Sequence, residues 1–163
     1  MNVSHRVFLQ WIMLLISFAT AAFFAGYYGI LGMIWQTDVT FMTSVIAGLF
    51  VVSVFYLGWS SWRYDNGGRM QGAVADTGVG RASAYVITLV GLLGTVIGLT
   101  MQVRAMGSIG ADVGSLLGFL KTVSVALGSA FLATGCGIVG SIGIVIMTAN
   151  LDYFIDRDEV SNV

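Results

Sequence analysis

Two sets of polar side chains recur at seven-residue intervals inside long apolar stretches of the sequence. The first set is Thr88, Thr95 and Gln102, and the second is Thr134, Ser141 and Thr148. A seven-residue repeat is nearly two turns of an α-helix, so each set forms one stripe along its helix. Hydroxyl and amide groups do not titrate near neutral pH, so such stripes can hydrate an ion path without carrying protons themselves.

Each stripe taken alone is more typical of packing than of transport. Ser and Thr side chains in membrane helices often donate a hydrogen bond to the backbone carbonyl one turn back. Two stripes on consecutive helices favour a shared polar surface instead. Both interpretations of the hydroxyls, packing and pore lining, therefore stay open.

Titratable side chains are expected only outside the apolar stretches. The eight acidic residues fall in segments expected to be loops or tails, and the one histidine, His5, lies near the amino terminus. A proton carrier needs a titratable group at membrane depth, so the chain alone is a poor candidate for one. Lys121 and Arg104 are expected at the ends of apolar stretches, where they extend to lipid headgroups or tune ion entry at a pore mouth.

The stretch that must position Thr95 is apolar and rich in glycine. Four of its residues fall at helical positions i, i+3, i+4 and i+7, on one face: Gly91, Gly94, Thr95 and Gly98. A second seam steps by four residues along the next apolar stretch: Ser129, Ala133, Gly137 and Ser141. Helices in lipid associate through such small faces, because apolar bulk gains nothing over lipid tails. The glycines of the first seam, with Ala133 and Gly137 of the second, are expected to pack the helices closely.

The composition indicates an integral membrane protein. Of 163 residues, 57% are hydrophobic and 9% are charged, whereas about 25% of a globular chain is charged. The formal net charge of −1 gives no support to a nucleic-acid partner. The single cysteine, Cys136, has no metal-ligand companions and is expected to be a packing residue. No cofactor or metal site and no nucleophile–base pair is evident, so an enzyme is not expected.

The apolar stretches predict an all-α membrane protein with four spans and no separate soluble domain. The spans cover residues 7–34, 41–62, 82–103 and 116–151 of a single membrane domain. Each exceeds the ~20 residues that cross the hydrocarbon core, and the fourth is long enough to project from it. Residues 63–81 are expected to form a loop with a flexible turn at Asn66.

The basic residues predict the orientation of the chain. Most of them fall on one side of a four-span arrangement: Arg6, Arg63, Arg69, Arg81 and Arg157. The opposite side receives Arg104 and Lys121. Because basic segments stay on the cytoplasmic side, both termini and the 63–81 segment are expected in the cytoplasm.

Two stretches resemble motifs of a known family. Residues 91–98, Gly-Leu-Leu-Gly-Thr-Val-Ile-Gly, are similar to the GLLGTVxG motif of the MotA/TolQ/ExbB proton-channel family, the large subunits of ion-driven membrane motors. Residues 130–138, Ala-Phe-Leu-Ala-Thr-Gly-Cys-Gly-Ile, are similar to its ALxxTxxGL motif. The resemblance extends from Tyr85 to Tyr153 and is strengthened by the order of the two motifs.

The resemblance implies a bacterial-type inner-membrane motor stator that assembles as a homopentamer around a partner dimer. The partner, of the MotB/TolR/ExbD kind, has one span and supplies the proton-carrying aspartate. Thr95 and Thr134 are then expected to face the central pore, and the stripes extend the predicted lining to three more residues: Thr88, Gln102 and Ser141. Ala133 stands beside Thr134, where family members that use sodium have a hydroxyl, so protons are favoured.

Two features differ from the family pattern. The family usually has a proline soon after the second motif, and this chain contains none. MotA-like members carry a large cytoplasmic region between the second and third spans, where this chain has only residues 63–81. A non-conducting scaffold protein that retains the helix bundle is the alternative. A small multidrug-type transporter is disfavoured, because its coupling needs an acid within the membrane.

Overall fold

The computed structural model describes residues 6–29, 32, 41–66, 70–106 and 113–161, and every regular element in these ranges is an α-helix. The helices are α1, Arg6–Tyr27; α2, Met42–Asp65; α3, Met70–Met106; and α4, Val113–Ser161. All four are long and apolar enough to cross a membrane, which confirms the predicted all-α class and its four spans. The predicted end of the first span, at residue 34, lies outside the described residues.

The antiparallel helices α3 and α4 pack against each other along most of their length. Helix α2 packs against both of them, and α1 packs against α2 and α4. Buried apolar side chains fill the space between the helices: Ile46, Val54, Leu57, Ala84, Ile87, Ile144 and Met147. A second buried cluster lies where α1 begins and α4 ends: Val7, Leu151, Phe154 and Ile155.

The loop predicted over residues 63–81 is wrong for most of its length. Helix α2 continues to Asp65, and α3 already begins at Met70. The first turns of α3 bury Thr77 and Gly80 against the bundle, so packing overrides the low helix propensity of a glycine-containing segment. The small-residue face of α3 therefore begins well before its apolar run.

Six acidic residues expected in loops or tails belong instead to helices. Asp65 is the last residue of α2, Asp76 belongs to α3, and α4, which continues to Ser161, includes Asp152, Asp156, Asp158 and Glu159. The segment after residue 151, expected to be a tail, is helical because Phe154 and Ile155 pack beside Leu151. Each of these acidic residues lies near a helix end and away from the centre of the uncharged stretches.

Charged residues mark where α3 leaves the hydrocarbon. Its uncharged part between Arg81 and Arg104 is about 35 Å long at 1.5 Å per residue. This length is close to the ~30 Å thickness of a hydrocarbon core. Arg81 donates a hydrogen bond of 2.6 Å to Asp152, which joins α3 and α4 at one boundary. This side of the bundle, where α1 and α3 begin and α2 and α4 end, is called the Arg81 end.

Candidate functional site

Small residues bring the backbones of α3 and α4 into direct contact. A Cβ atom added at Gly91 would lie 3.1 Å from the Ala133 carbonyl oxygen and 3.2 Å from the Gly137 Cα. One added at Gly137 would lie 3.0 Å from the Gly91 Cα, and one at Gly94 would lie 2.9 Å from the Ala133 Cβ. Gly98 is also buried. Side chains at these glycines would force the two helices apart.

This close approach joins the hydroxyl groups of Thr95 and Thr134 by a hydrogen bond. Both hydroxyls also reach the same two backbone carbonyls. The Gly91 oxygen lies 3.3 Å from Thr95 Oγ1 and 3.2 Å from Thr134 Oγ1. The Ala130 oxygen lies 3.3 Å and 3.4 Å from them. We call these four oxygens the hydroxyl cluster.

The hydroxyl cluster has two protons to donate and more acceptors than protons. Either threonine can donate to the other, which then donates to a carbonyl, so the hydrogen-bond direction can reverse. Thr95 and Thr134 are both half-buried within the chain, so part of the cluster faces outward. Each hydroxyl keeps lone pairs that can accept a hydrogen bond from water. The cluster can therefore solvate a passing ion, but it cannot itself take up a proton near neutral pH.

The hydroxyl cluster lies at membrane depth. Along α3, Thr95 is about 21 Å from Arg81 and about 14 Å from Arg104. Along α4, Thr134 is about 20 Å from Lys121. Arg104 and Lys121 are exposed, on the opposite side of the bundle from the Arg81 end. The hydroxyl cluster thus lies between two charged boundaries.

The other residues of the predicted lining lie one heptad away. Thr88 donates to the Ala84 carbonyl at 3.0 Å, and Ser141 donates to the Ile138 carbonyl at 2.9 Å. Both side chains are half-buried. Because α3 and α4 are antiparallel, the equal repeats place Thr88 and Ser141 at one level along the seam. The side chain of Gln102 lies outside the described residues.

Thr148, the last member of the second stripe, has a different environment. It is only 1% exposed and donates to the Ile144 carbonyl at 2.8 Å. Its side chain occupies the space where Gly80 of α3 has no Cβ. Thr148 therefore packs inside the chain, as the back-bonding interpretation of the stripes expects. Cys136 is half-buried and packs against the apolar core.

A polar cluster at the Arg81 end was not singled out from the sequence. The Asp76 carboxylate accepts hydrogen bonds from Tyr56 Oη at 2.6 Å and from Ser60 Oγ at 2.7 Å. Tyr56 and Ser60 are four residues apart on α2, which is the one sequence signal that could have indicated a shared partner. Among the described residues, no group of three His, Cys, Asp or Glu side chains could hold a metal ion.

Fold and site together define a helical membrane protein whose closely packed helices hold paired hydroxyls at membrane depth. A sequence model of the MotA/TolQ/ExbB proton channel family matches residues 75–161, more than half of the chain. The chain belongs to this family, as its two motifs predict. The matched region includes Asp76 and Asp152 as well as Thr95 and Thr134. No curated protein and no solved structure matches the chain.

Proposed function

We propose that this chain is the pore-forming large subunit of a proton-driven membrane motor. It assembles as a homopentamer around a dimer of a one-span partner of the MotB/TolR/ExbD kind. The partner supplies the aspartate that carries the proton. The hydroxyl cluster at membrane depth supports the proposal most directly, because it lies on the two helices that fall within the family match.

In the proposed assembly, α3 and α4 of each copy surround the partner helices. Thr95 and Thr134 line the pore and hydrate the path beside the partner carboxylate. Their hydrogen bond reverses as that carboxylate gains and loses its proton. Thr88 and Ser141 extend the polar path by one heptad in one direction, and Gln102 extends it in the other.

The proposed location is a bacterial-type inner membrane, with the Arg81 end on the cytoplasmic side. Helix α1 begins and α4 ends on this side. The proposal therefore has both termini in the cytoplasm. Three basic residues near these helix ends support this orientation: Arg63, Arg81 and Arg157. The lipid bilayer covers the exposed apolar side chains of the outer helices.

The variants Thr95→Val and Thr134→Val test the pore assignment. Valine keeps the shape of threonine and removes the hydroxyl, so each variant is expected to abolish proton flux and leave assembly intact. Flux is measured with a pH-sensitive dye in vesicles that contain the chain and its co-expressed partner. Thr100→Val is the matched control, because Thr100 is exposed and donates only to the Val96 carbonyl of its own helix. Normal flux through both test variants would contradict the pore assignment.

The native mass in mild detergent tests the assembly. When the chain is co-expressed with neighbouring genes, we expect the mass of five copies of the chain, with or without two copies of a one-span partner. A monomer, a dimer or an open assembly under every condition would contradict the motor subunit.

A non-conducting scaffold is the second candidate function. One observation favours it: the Thr95 and Thr134 hydroxyls find hydrogen-bond partners within their own chain. A scaffold shows no proton flux with any partner, and its valine variants lose only stability. The two functions are therefore separated by measuring flux in the unaltered protein.

A further inference from the structure

A groove of about 240 Å³ lies on the outside of the bundle between α2 and α3. Its walls are formed by Leu49 and Ser53 of α2 and by Val79, Ala82, Ser83 and Val86 of α3. Both serine hydroxyls are occupied by their own helices, since Ser53 donates to the Leu49 carbonyl at 2.8 Å and Ser83 to the Val79 carbonyl at 2.9 Å. The groove therefore presents an apolar surface. Its volume falls below the ~300–1,000 Å³ of typical small-molecule pockets and suits part of an alkyl chain.

Both walls continue from the groove to charged groups at the Arg81 end. On α3 the same face passes from Val86 through Ser83 and Val79 to Asp76, in steps of three and four residues. On α2 the corresponding face passes through the following residues: Ser53, Tyr56, Ser60 and Arg63. The hydrogen bonds from Tyr56 and Ser60 to Asp76 hold the two walls together at the mouth.

The mouth of the groove lies at the level of lipid headgroups. Asp76 is about 8 Å beyond Arg81 along α3, on the side away from the hydrocarbon. Trp59 and Trp62 are exposed on α2 at this end, with ring centroids 5.4 Å apart. Exposed tryptophan rings favour the membrane–water interface. A lipid whose head lies at Asp76 can therefore place an acyl chain along the groove.

The charged side chains at the mouth determine which phospholipid headgroup fits there. Asp76 is an acceptor for a cation, and the exposed Arg63 is seven residues after Tyr56 on α2, so it lies on the same helix face. An ethanolamine phospholipid carries a phosphate for Arg63 and an ammonium with N–H donors for Asp76. A phosphoglycerol head has no ammonium, and a choline head has a cation without N–H donors. We propose that the groove between α2 and α3 binds a phospholipid with an ethanolamine head.

Lipid retention by the full-length protein tests this site. Native mass spectrometry is carried out after addition of ethanolamine, choline or phosphoglycerol lipids with identical acyl chains. We expect the ethanolamine lipid to be retained about three- to tenfold more strongly than the phosphoglycerol lipid, because only the ethanolamine head has an ammonium that donates to Asp76 at the solvent-exposed mouth. Asp76→Asn removes this preference. Asp156→Asn changes an exposed carboxylate on α4, which forms neither wall of the groove, and leaves the preference unchanged.

A second pair of variants tests the groove independently of its charges. Val86→Trp fills the groove and lowers retention of all three lipids. Val139→Trp makes the same change at an exposed position of α4 and has no such effect. Thermal unfolding of each variant establishes that it is folded.

Three outcomes would overturn the site. The first is equal retention of the three lipids by the unaltered protein. The second is an ethanolamine preference that survives both Asp76→Asn and Val86→Trp. The third is photo-crosslinking from position 86 to a second copy of the chain, which would mean that a neighbouring subunit covers the groove.

Discussion

Helices α1 and α3 are held to α4 in different ways. Helix α3 meets α4 through backbone atoms, with glycines facing each other at Gly91 and Gly137. Helix α1 meets the bundle through large side chains over its first half only: Trp11, Leu14, Leu15 and Phe18. From residue 19 to residue 29, all side chains of α1 and its following turn are exposed except the half-buried Ala25.

This difference reflects what stabilises helix pairs in lipid. Burying a large apolar side chain gains little there, because lipid tails are equally apolar. Close packing gains dispersion contacts over a long seam, so small residues stabilise the pair more than bulky ones do. The α3–α4 pair is therefore the rigid part of the molecule, and it is the part that holds Thr95 and Thr134. Helix α1 is a peripheral support.

Among the variants that test this difference, Gly137→Ala is expected to lower stability the most. The new Cβ would lie 3.0 Å from the Gly91 Cα and 3.1 Å from the Ile87 carbonyl oxygen. Both are backbone atoms of α3, so the whole helix has to shift to make room. We expect a loss of about 1–3 kcal/mol of stability, as for overpacked cores. Thermal unfolding in detergent measures it.

Gly135→Ala is the matched control on the same helix. A Cβ at Gly135 meets nothing within 4 Å. Replacement of an open helical glycine by alanine stabilises by about 0.5–1 kcal/mol, so the two variants should shift the unfolding temperature in opposite directions. Equal stability of the two variants would contradict backbone contact along the α3–α4 seam.

Gly58→Ala is expected to have a smaller effect, confined to α1. The indole ring of Trp11 lies against Gly58, where a Cβ would overlap it. The ring is also stacked on Phe8, with centroids 5.7 Å apart, so it cannot turn away freely. We expect α1 to shift outward at a cost of about 1 kcal/mol, the lower end of the range for overpacking.

Tryptophan fluorescence and a cysteine cross-link between α1 and α2 measure that shift. Gly48→Ala is the control, because Gly48 lies on the same helix as Gly58 and a new Cβ there would meet nothing within 4 Å. If Gly58→Ala loosened α3 and α4 as much as α1, α1 would be an integral part of the rigid unit. The contrast between the two attachments would then fail.

The helical class and the two central helices could be predicted because their signals are local. Long apolar runs determine the spans, and glycines at helical spacing determine the seam face around Gly91. The family resemblance predicted that Thr95 and Thr134 face one pore, but it did not predict the hydrogen bond that pairs them. Hydrophobicity alone cannot predict which helix faces meet, because an apolar face can contact lipid tails as favourably as another helix.

The Arg81 end could not be predicted from local signals. Its glycines and charges resemble a loop, yet Thr77 is buried and Gly80 packs against Leu57 of α2 and Thr148 of α4. The hydroxyls that hold Asp76 come from a different helix, α2. Contacts between helices decide the structure here, and they depend on the register of the whole bundle.

Asp65→Ala is expected to have the smallest and most local effect. The Asp65 carboxylate, at the end of α2, accepts a hydrogen bond of 2.8 Å from the Phe8 backbone N–H in the first turn of α1. Removing such a cap costs about 1 kcal/mol in most helices. Hydrogen exchange should therefore quicken at Phe8 and its neighbours while the α3–α4 amides stay protected. Asp156→Ala, at an exposed site of α4, should leave the exchange of α1 unchanged. Faster exchange throughout α4 would instead mean that the start of α1 stabilises the rigid pair, and α1 could no longer be regarded as peripheral.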